Sequence, residues 1–479
     1  MAKPTGFLEY ERVDASYRPV SERIKDYDEF VVPQTEEAMH VQAARCMDCG
    51  VSFCHGGFVV NGLSIGCPLS NLIPEINDLV YRGKYDEAWK RLSKTHPFPE
   101  FTSRVCPALC EGSCTLGEHE PAVTVKEIER LLTDRNVLAN KVEPRIVTQR
   151  TGKKVAVIGS GPSGLACADM LNQLGDTVTV YERNDRPGGL LMYGIPNMKL
   201  DKSLVLNRVE ILKKEGVTFV LNTQVEDGTL VKILKDNDAI VLCTGATKER
   251  MLVVPGSDLE GVLTAMTYLT RSTKSLLDEG SVPIDLEGKH IIVVGGGDTG
   301  TDCVGTSIRK GAASVTQLEI MPELPENRAA NNPWPLWPRI RKTDYGQKEA
   351  IELFGKDPRE YEVTVKEIVG EAGKVTGVKT IKVEWTAKGP KEIPGTEELR
   401  RADLVITAMG FTGPEDTLIS ELSLKKDPRG NILTKENRYK SSLSGVFAAG
   451  DTRRGPSLVV WALMEGRKAA AEVHAELQR

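Results

Sequence analysis

Seven of the ten cysteines fall between Cys46 and Cys114, arranged as Cys46-x2-Cys49-x4-Cys54, Cys67, and Cys106-x3-Cys110-x3-Cys114. Thiolates are soft ligands, suited to zinc or to iron–sulfur clusters. One zinc held by four cysteines leaves three unused, whereas two four-ligand sites need eight ligands. Seven thiolates and one ligand of another kind therefore fit two [4Fe–4S] clusters better than a pair of zinc sites. A structural zinc module with spare buried cysteines is the competing reading. A disulfide framework is not expected, because the chain reads as cytoplasmic. Met1-Ala2-Lys3-Pro4-Thr5-Gly6 lacks the apolar core of a signal peptide, and no apolar run approaches the roughly 18 to 20 residues that span a bilayer.

A second chemistry-bearing pattern occurs twice. Val155-Ala156-Val157-Ile158 runs into Gly159-Ser160-Gly161-Pro162-Ser163-Gly164 and then into an apolar helix. In such a strand–turn–helix the first glycine permits the turn, the second lets the backbone approach a pyrophosphate, and the third lets helix and strand pack closely. The next strand, Thr177 to Tyr181, ends at Glu182, well placed to accept from a ribose diol. Arg183 follows it, and Gly188-Gly189-Leu190 either bring a second stretch of backbone to the cofactor or form an ordinary turn. The repeat is Gly295-Gly296-Gly297-Asp298-Thr299-Gly300, after Ile291 to Val294, and its following strand ends in Glu319. A carboxylate there accepts from a 2′-hydroxyl and repels a 2′-phosphate, which favours NADH over NADPH. Arg309-Lys310 is the counter-evidence, since one cation there could reach a 2′-phosphate.

The elements that must position these groups follow from the pattern. With 479 residues, 40% hydrophobic and 27% charged, the chain is long enough for about three domains. Its net charge of -5 gives no reason to expect a nucleic-acid or polyanion partner. Up to about residue 145 the apolar spacing is helical: Leu69, Leu72, Ile73, Ile76 and Leu79 form one stripe, opened by Cys67-Pro68. A second helix opens at Thr124, which with Glu127 makes a capping-box pattern, and Glu129 lies on it. Beyond Lys153-Lys154 the texture becomes that of parallel βαβ units. The strands Ala239 to Leu242 and Leu404 to Thr407, followed by turns at Gly245 and Gly410, are expected to hinge the second unit onto the first. The segment Pro322 to Pro338, with five prolines, Trp334 and Trp337, reads as a packed loop. Near the end, an apolar strand leads to Gly450-Asp451, and Ser457-Leu458 opens a helix whose N-terminus could stabilise a reduced flavin.

Together the glycine loops and the terminal Gly-Asp motif resemble the two-dinucleotide-domain flavoprotein reductases. That resemblance implies FAD at Gly159, Gly161, Gly164, Glu182 and Asp451, and NAD(P)H on an inserted second domain. More specifically, Arg45-Cys46-Met47-Asp48-Cys49-Gly50, Cys106 to Cys114 with its Pro107, and Tyr193-Gly194-Ile195-Pro196-Asn197-Met198-Lys199-Leu200 resemble the glutamate synthase small (beta) subunit. The group is shared with the flavin-side half of dihydropyrimidine dehydrogenase, and the resemblance covers essentially the whole chain. It implies an α/β fold: a helical cluster domain at 1–148, an FAD domain at 149–286 and 401–479, and an NAD(P)H domain at 287–400 inserted between them. One cluster would take Cys46, Cys49, Cys54 and Cys114. The other would take Cys67, Cys106, Cys110 and Glu129, where dihydropyrimidine dehydrogenase has glutamine.

The implied function is electron input. NAD(P)H gives a hydride to FAD, and the electrons leave one at a time through the clusters, with no side chain nominated as a general base. Met1-Ala2 offers no N-terminal cysteine nucleophile for glutamine hydrolysis, and no stretch of about 250 residues remains for an FMN-binding (β/α)8 barrel. A large (alpha) subunit carrying the glutaminase and FMN sites is therefore the expected partner, making L-glutamate from L-glutamine and 2-oxoglutarate. The alternatives are an NAD(P)H:ferredoxin-type oxidoreductase subunit and a non-catalytic, cluster-bearing assembly scaffold. A thioredoxin-reductase-like enzyme is disfavoured, since Cys303 stands alone in the second dinucleotide unit.

Overall fold

The computed structural model describes residues 2–226, 228–279 and 284–479. Two five-stranded sheets form its frame. The first runs Val446–Ala448, Ala239–Leu242, Lys154–Ile158, Thr177–Tyr181, Thr218–Val220, all parallel. Its central strands are continuous apolar runs because helices cover both faces, so Val155 to Ile158 and Ala239 to Leu242 are buried residue after residue. The second runs Arg359–Tyr361, Ser314–Glu319, His290–Val294, Leu404–Thr407, Val262–Thr264, again parallel.

This second sheet corrects the expected boundaries. Val262–Thr264 and Leu404–Thr407 belong to it, so the second unit reaches beyond 287–400 in both directions. Leu404–Thr407 looked like the return to the first unit because Gly410 follows it. The actual crossing is a short antiparallel ribbon, Lys248–Glu249 against Phe411–Gly413, immediately beyond Gly245 and Gly410. Between the last two strands of the second sheet lies an antiparallel meander that the sequence pattern did not reveal: Val363–Glu371, Lys374–Thr386, Gly389–Glu392 and Glu398–Arg401.

The N-terminal region is helical, with one hairpin, Phe58–Val60 against Leu63–Ile65, on the excursion between Cys54 and Cys67. The helix expected from Leu69 begins only at Ile73, with Pro74 in its first turn, because Ser70 is left-handed (φ 55°) and breaks the stripe. The Val125–Thr133 helix starts after Thr124 as expected, but the capping box does not form: the Thr124 hydroxyl is buried without a partner. The terminal helix spans Val459–Leu477, with Ser457 two residues outside it. It lies on Pro162–Gln173, where Gly466 sits so close that a Cβ there would be 2.1 Å from the Ser163 carbonyl oxygen.

One apolar core runs unbroken from Met39, Ile76 and Phe101 into Val155, Leu165 and Leu463, so the cysteine domain and the first dinucleotide unit are one body. The second unit has its own core around Ile291, Val304 and Ile406. It is tied to the N-terminal segment by ions: Glu349 accepts from Arg23 at 2.7 Å and from Arg309 at 2.6 and 3.1 Å, with Arg309 and Glu349 fully buried. Arg309 is thus spent on the interior, and Lys310 turns to the Ile284 carbonyl. Glu349→Ala leaves two guanidiniums without their carboxylate and is expected to cost about 3–5 kcal/mol, readable as a lowered midpoint in urea unfolding with the flavin signal followed in parallel.

Candidate functional site

The first glycine loop shows three distinct roles in its packing. Gly159 has φ +99°, and a Cβ on it would meet the Cys243 carbonyl oxygen at 2.5 Å. Gly164 would meet the Gly159 carbonyl oxygen at 1.9 Å. Gly161 faces open space, with nothing within 4 Å. Pro162 and Ser163 form the first turn of the helix, whose unpaired N–H groups look into that space. Glu182 closes the loop from the neighbouring strand: Oε2 accepts from the Ser160 N–H and hydroxyl, Oε1 from the Asn184 N–H and side-chain amide. Gly188 and Gly189 pack on the same loop, the Gly188 N–H donating to the Ser160 hydroxyl and Gly189 facing Gly161 Cα. Leu190 begins the short helix beyond them and is 39% exposed. Arg183 turns away to pair with Glu415 at 2.7 Å.

The terminal motif reaches this loop. A Cβ on Gly450 would stand 2.7 Å from Ser163 Cβ, so Asp451 begins its helix beside the glycine turn. Burial pushes Asp451 up to about 6, opposed by the Ser457 hydroxyl, which donates to it at 2.5 Å. Leu458 caps the terminal helix, and Gly245 donates to the Thr452 hydroxyl at 2.8 Å, closing the rim.

The second loop repeats the first. Gly295 packs against the Ala408 carbonyl, Gly300 against the Gly295 carbonyl, and Gly297 faces open space. Asp298 and Thr299 start the Asp298–Arg309 helix. Glu319 Oε2 accepts from the Gly296 N–H at 2.8 Å and Oε1 from the Met321 N–H at 2.8 Å, which fixes the carboxylate at the loop. Gly410, with φ +77°, leads from Leu404–Thr407 into the ribbon. Lys199 joins the two units by donating to Asp302 at 3.1 Å, and Tyr345 donates to the same oxygen at 2.8 Å.

The cysteines separate into two cavities. Cys46, Cys49, Cys54 and Cys114 line one; Cys67, Cys106 and Cys110 line the other, together with Glu129. Among the described residues no three of these side chains converge at the range of a single metal ion, which a zinc with sulfur ligands at about 2.3 Å requires. Two cavities lined by the same kind of ligand suit two groups of one kind. Burial pushes the thiols of Cys46 and Cys106 up to about 11 and of Cys67 up to about 12, so thiolates here need a cation beside them. The cavities share a wall at Ile73 and Val125, and the Cys67 N–H donates to the Cys54 carbonyl at 2.8 Å.

Other residues at these cavities carried no sequence signal. His96 and Thr102 line the Cys67 cavity, though neither is a residue type that the thiolate pattern picks out. Burial, with Arg467 and Arg208 nearby, lowers His96 to about 3 and keeps it neutral. The proline- and tryptophan-rich loop packs on the cysteine domain: Trp334 Nε1 donates to the Cys114 carbonyl, the Ser113 hydroxyl to the Pro335 carbonyl, and Arg328 to the Gly112 carbonyl. Its prolines and tryptophans announced order, but only the fold shows that this order seals the Cys114 side.

Comparison with known proteins agrees with this geometry. The family described as dihydropyrimidine dehydrogenase domain II, 4Fe-4S cluster, matches residues 23–141, and the pyridine nucleotide-disulphide oxidoreductase family matches 115–238, 153–333 and 359–466. The glutamate synthase [NADPH] small chain of Bacillus subtilis is 49% identical over 99% of this chain and 98% of its own length. The chain belongs to the glutamate synthase small-chain family. It is an oxidoreductase of FAD, NAD(P)H and iron–sulfur clusters. The glutamate synthase [NADH] of Saccharomyces cerevisiae is 47% identical over 98% of this chain, which spans 22% of that longer protein. Among solved structures, Mycobacterium tuberculosis FprA in complex with NADPH aligns with 68% of this chain and 84% of its own, at TM-score 0.52 and 18% identity, a likeness of fold. Among the described residues no helix is long and apolar enough to cross a membrane.

Proposed function

We propose that this chain is the electron-input subunit of a glutamate synthase, which takes a reduced nicotinamide at the Gly295–Gly300 loop and serves a large subunit that forms L-glutamate from L-glutamine and 2-oxoglutarate. The observation that carries this reading is the division of seven thiols and Glu129 between two cavities in one body with a dinucleotide loop. When bound, FAD supplies the exchange between two-electron and one-electron chemistry, and the clusters a one-electron path. The protein supplies position. Gly161 and Gly297 leave room for pyrophosphates, Glu182 and Glu319 stand where ribose hydroxyls donate, and Asp451 and Ser457 flank the flavin end.

Val460, in the first turn of the terminal helix, lines the Cys67 cavity. That cavity therefore stands on the FAD side, and the Cys46 cavity is the outer one. Lys199 ties the two dinucleotide units together through Asp302, which Tyr345 also holds. The yeast relative, of which this chain spans 22%, supports a large partner; in this reading that partner carries the glutaminase and FMN sites, and the assembly is cytoplasmic. The deciding experiment supplies the reduced protein with glutamate synthase large subunit or with ferredoxin. Glutamate formation from L-glutamine and 2-oxoglutarate supports the proposal; reduction of ferredoxin alone contradicts it.

NADH is the preferred donor in this reading, because Glu319 is fixed at the loop while Arg309 and Lys310 are withdrawn. Glu319→Gln is expected to raise the NADPH:NADH ratio of kcat/KM by about tenfold, the size of a ~1.4 kcal/mol charge interaction. Steady-state kinetics with an artificial electron acceptor reads it directly.

A further inference from the structure

The Cys67 cavity contains a hydrogen-bonded chain that the ligand count leaves unused. Thr102 Oγ1 donates to Glu129 Oε1 and lies 2.7 Å from His96 Nε2; Glu129 Oε2 is 3.8 Å from the same ring nitrogen. A hydroxyl has one proton. Donated to an ionised carboxylate it makes the stronger, charge-assisted bond, and Thr102 Oγ1 must then accept from His96. The direction of the chain follows: His96 Nε2–H to Thr102, Thr102 O–H to Glu129 Oε1. Oε1 is occupied, and Oε2 is left for a bond to iron.

Both members are held firmly. His96 is 2% exposed, and its backbone N–H donates to the Leu92 carbonyl at 2.9 Å. Thr102 lies one turn ahead of Cys106 in the Pro99–Val105 helix, and the Cys106 N–H donates to the Thr102 carbonyl at 3.0 Å. The turn that sets a thiol ligand therefore also sets the hydroxyl that orients the carboxylate. Groups that hydrogen-bond a metal ligand fix its orientation and tune the metal.

We propose that His96 and Thr102 are positioning residues, which hold Glu129 as a one-oxygen ligand of the cluster bound by Cys67, Cys106 and Cys110. The proposal rests on reading this cavity as a [4Fe–4S] site. Of the four irons, the one on Glu129 lacks a thiolate and is the first to leave when orientation fails. Oxidation by one equivalent of ferricyanide removes one electron from the cluster, a ferrous ion departs, and a three-iron cluster remains.

The test compares wild type, Thr102→Val, Thr102→Ser, His96→Leu and Glu129→Ala, purified anaerobically, by iron and sulfide content and by electron paramagnetic resonance after that equivalent of ferricyanide. Thr102→Val is nearly isosteric, and full FAD content in each variant reports an intact fold. Thr102→Val, His96→Leu and Glu129→Ala are expected to show a three-iron signal approaching one spin per chain, with iron falling from about eight to about seven. Wild type and Thr102→Ser, which keeps the hydroxyl, are expected to show none. A signal in Glu129→Ala with Thr102→Val and His96→Leu both silent overturns the positioning role. Silence in Glu129→Ala overturns Glu129 as the ligand, and the positioning role with it. Wild type without iron and sulfide overturns the cluster reading itself.

Discussion

Replacing Cys110 by serine is expected to lower iron from about eight to about four per chain, to leave reduction of FAD by NADH intact, and to abolish glutamate formation with the large subunit. The proposed ligands that share the cavity with Cys110 are Cys67, Cys106 and Glu129, so two thiolates and a carboxylate remain, too few to keep a cubane. The outer cavity keeps its four thiolates and its iron. In the proposed order, with the Cys67 cavity on the flavin side, an intact outer cluster is of no use once the inner one is gone. Cys303→Ser is the control: that thiol is fully buried in the separate core of the second unit, and its loss is expected to change neither iron nor electron delivery. Metal analysis, flavin bleaching under anaerobic conditions and coupled turnover separate these outcomes.

Two substitutions on one loop are expected to act in opposite ways. Gly164→Ala places a methyl 1.9 Å from the Gly159 carbonyl oxygen, which forces strand and helix apart. The protein is expected to be isolated nearly free of FAD and destabilised by about 1–3 kcal/mol, the range of overpacked interiors. Gly161→Ala meets nothing within 4 Å. Its apoprotein is expected to unfold at the wild-type midpoint while FAD binds more weakly, because the methyl occupies space meant for the pyrophosphate. Thermal unfolding of the flavin-free proteins, followed by FAD titration, distinguishes loss of fold from loss of cofactor.

The contrast explains which parts were legible in the sequence. A glycine loop is local: strand, three glycines, helix and acid lie within about 30 residues, and backbone sterics impose their spacing. Gly159 to Glu182 and Gly295 to Glu319 could therefore be read directly, down to the acid at the strand end. The division of the cysteines was not local. Spacing groups Cys114 with Cys106 and Cys110, while the fold sends it to Cys46, Cys49 and Cys54. Only the family resemblance anticipated that, and it also brought Glu129 to the Cys67 cavity.

The errors have the same origin. Leu404–Thr407 is an apolar strand followed by glycine, and nothing in its own residues tells which of two parallel sheets it joins. Arg309 beside Lys310 stood as counter-evidence to NADH because its partner, Glu349, lies 40 residues away on another helix, out of reach of any local pattern. Thr124 with Glu127 satisfied a capping pattern, yet packing buried the hydroxyl instead. His96 and Thr102 had no pattern at all, since their significance lies in sharing a wall with Glu129.

The measurement that bears most directly on the central claim is quantitative analysis of flavin, iron, acid-labile sulfide and zinc on protein purified without oxygen. The account predicts one FAD with about eight iron and about eight sulfide per chain and no stoichiometric zinc; zinc in the thiol cavities without sulfide would contradict it, leaving a flavoprotein with a structural metal domain and no path for single electrons.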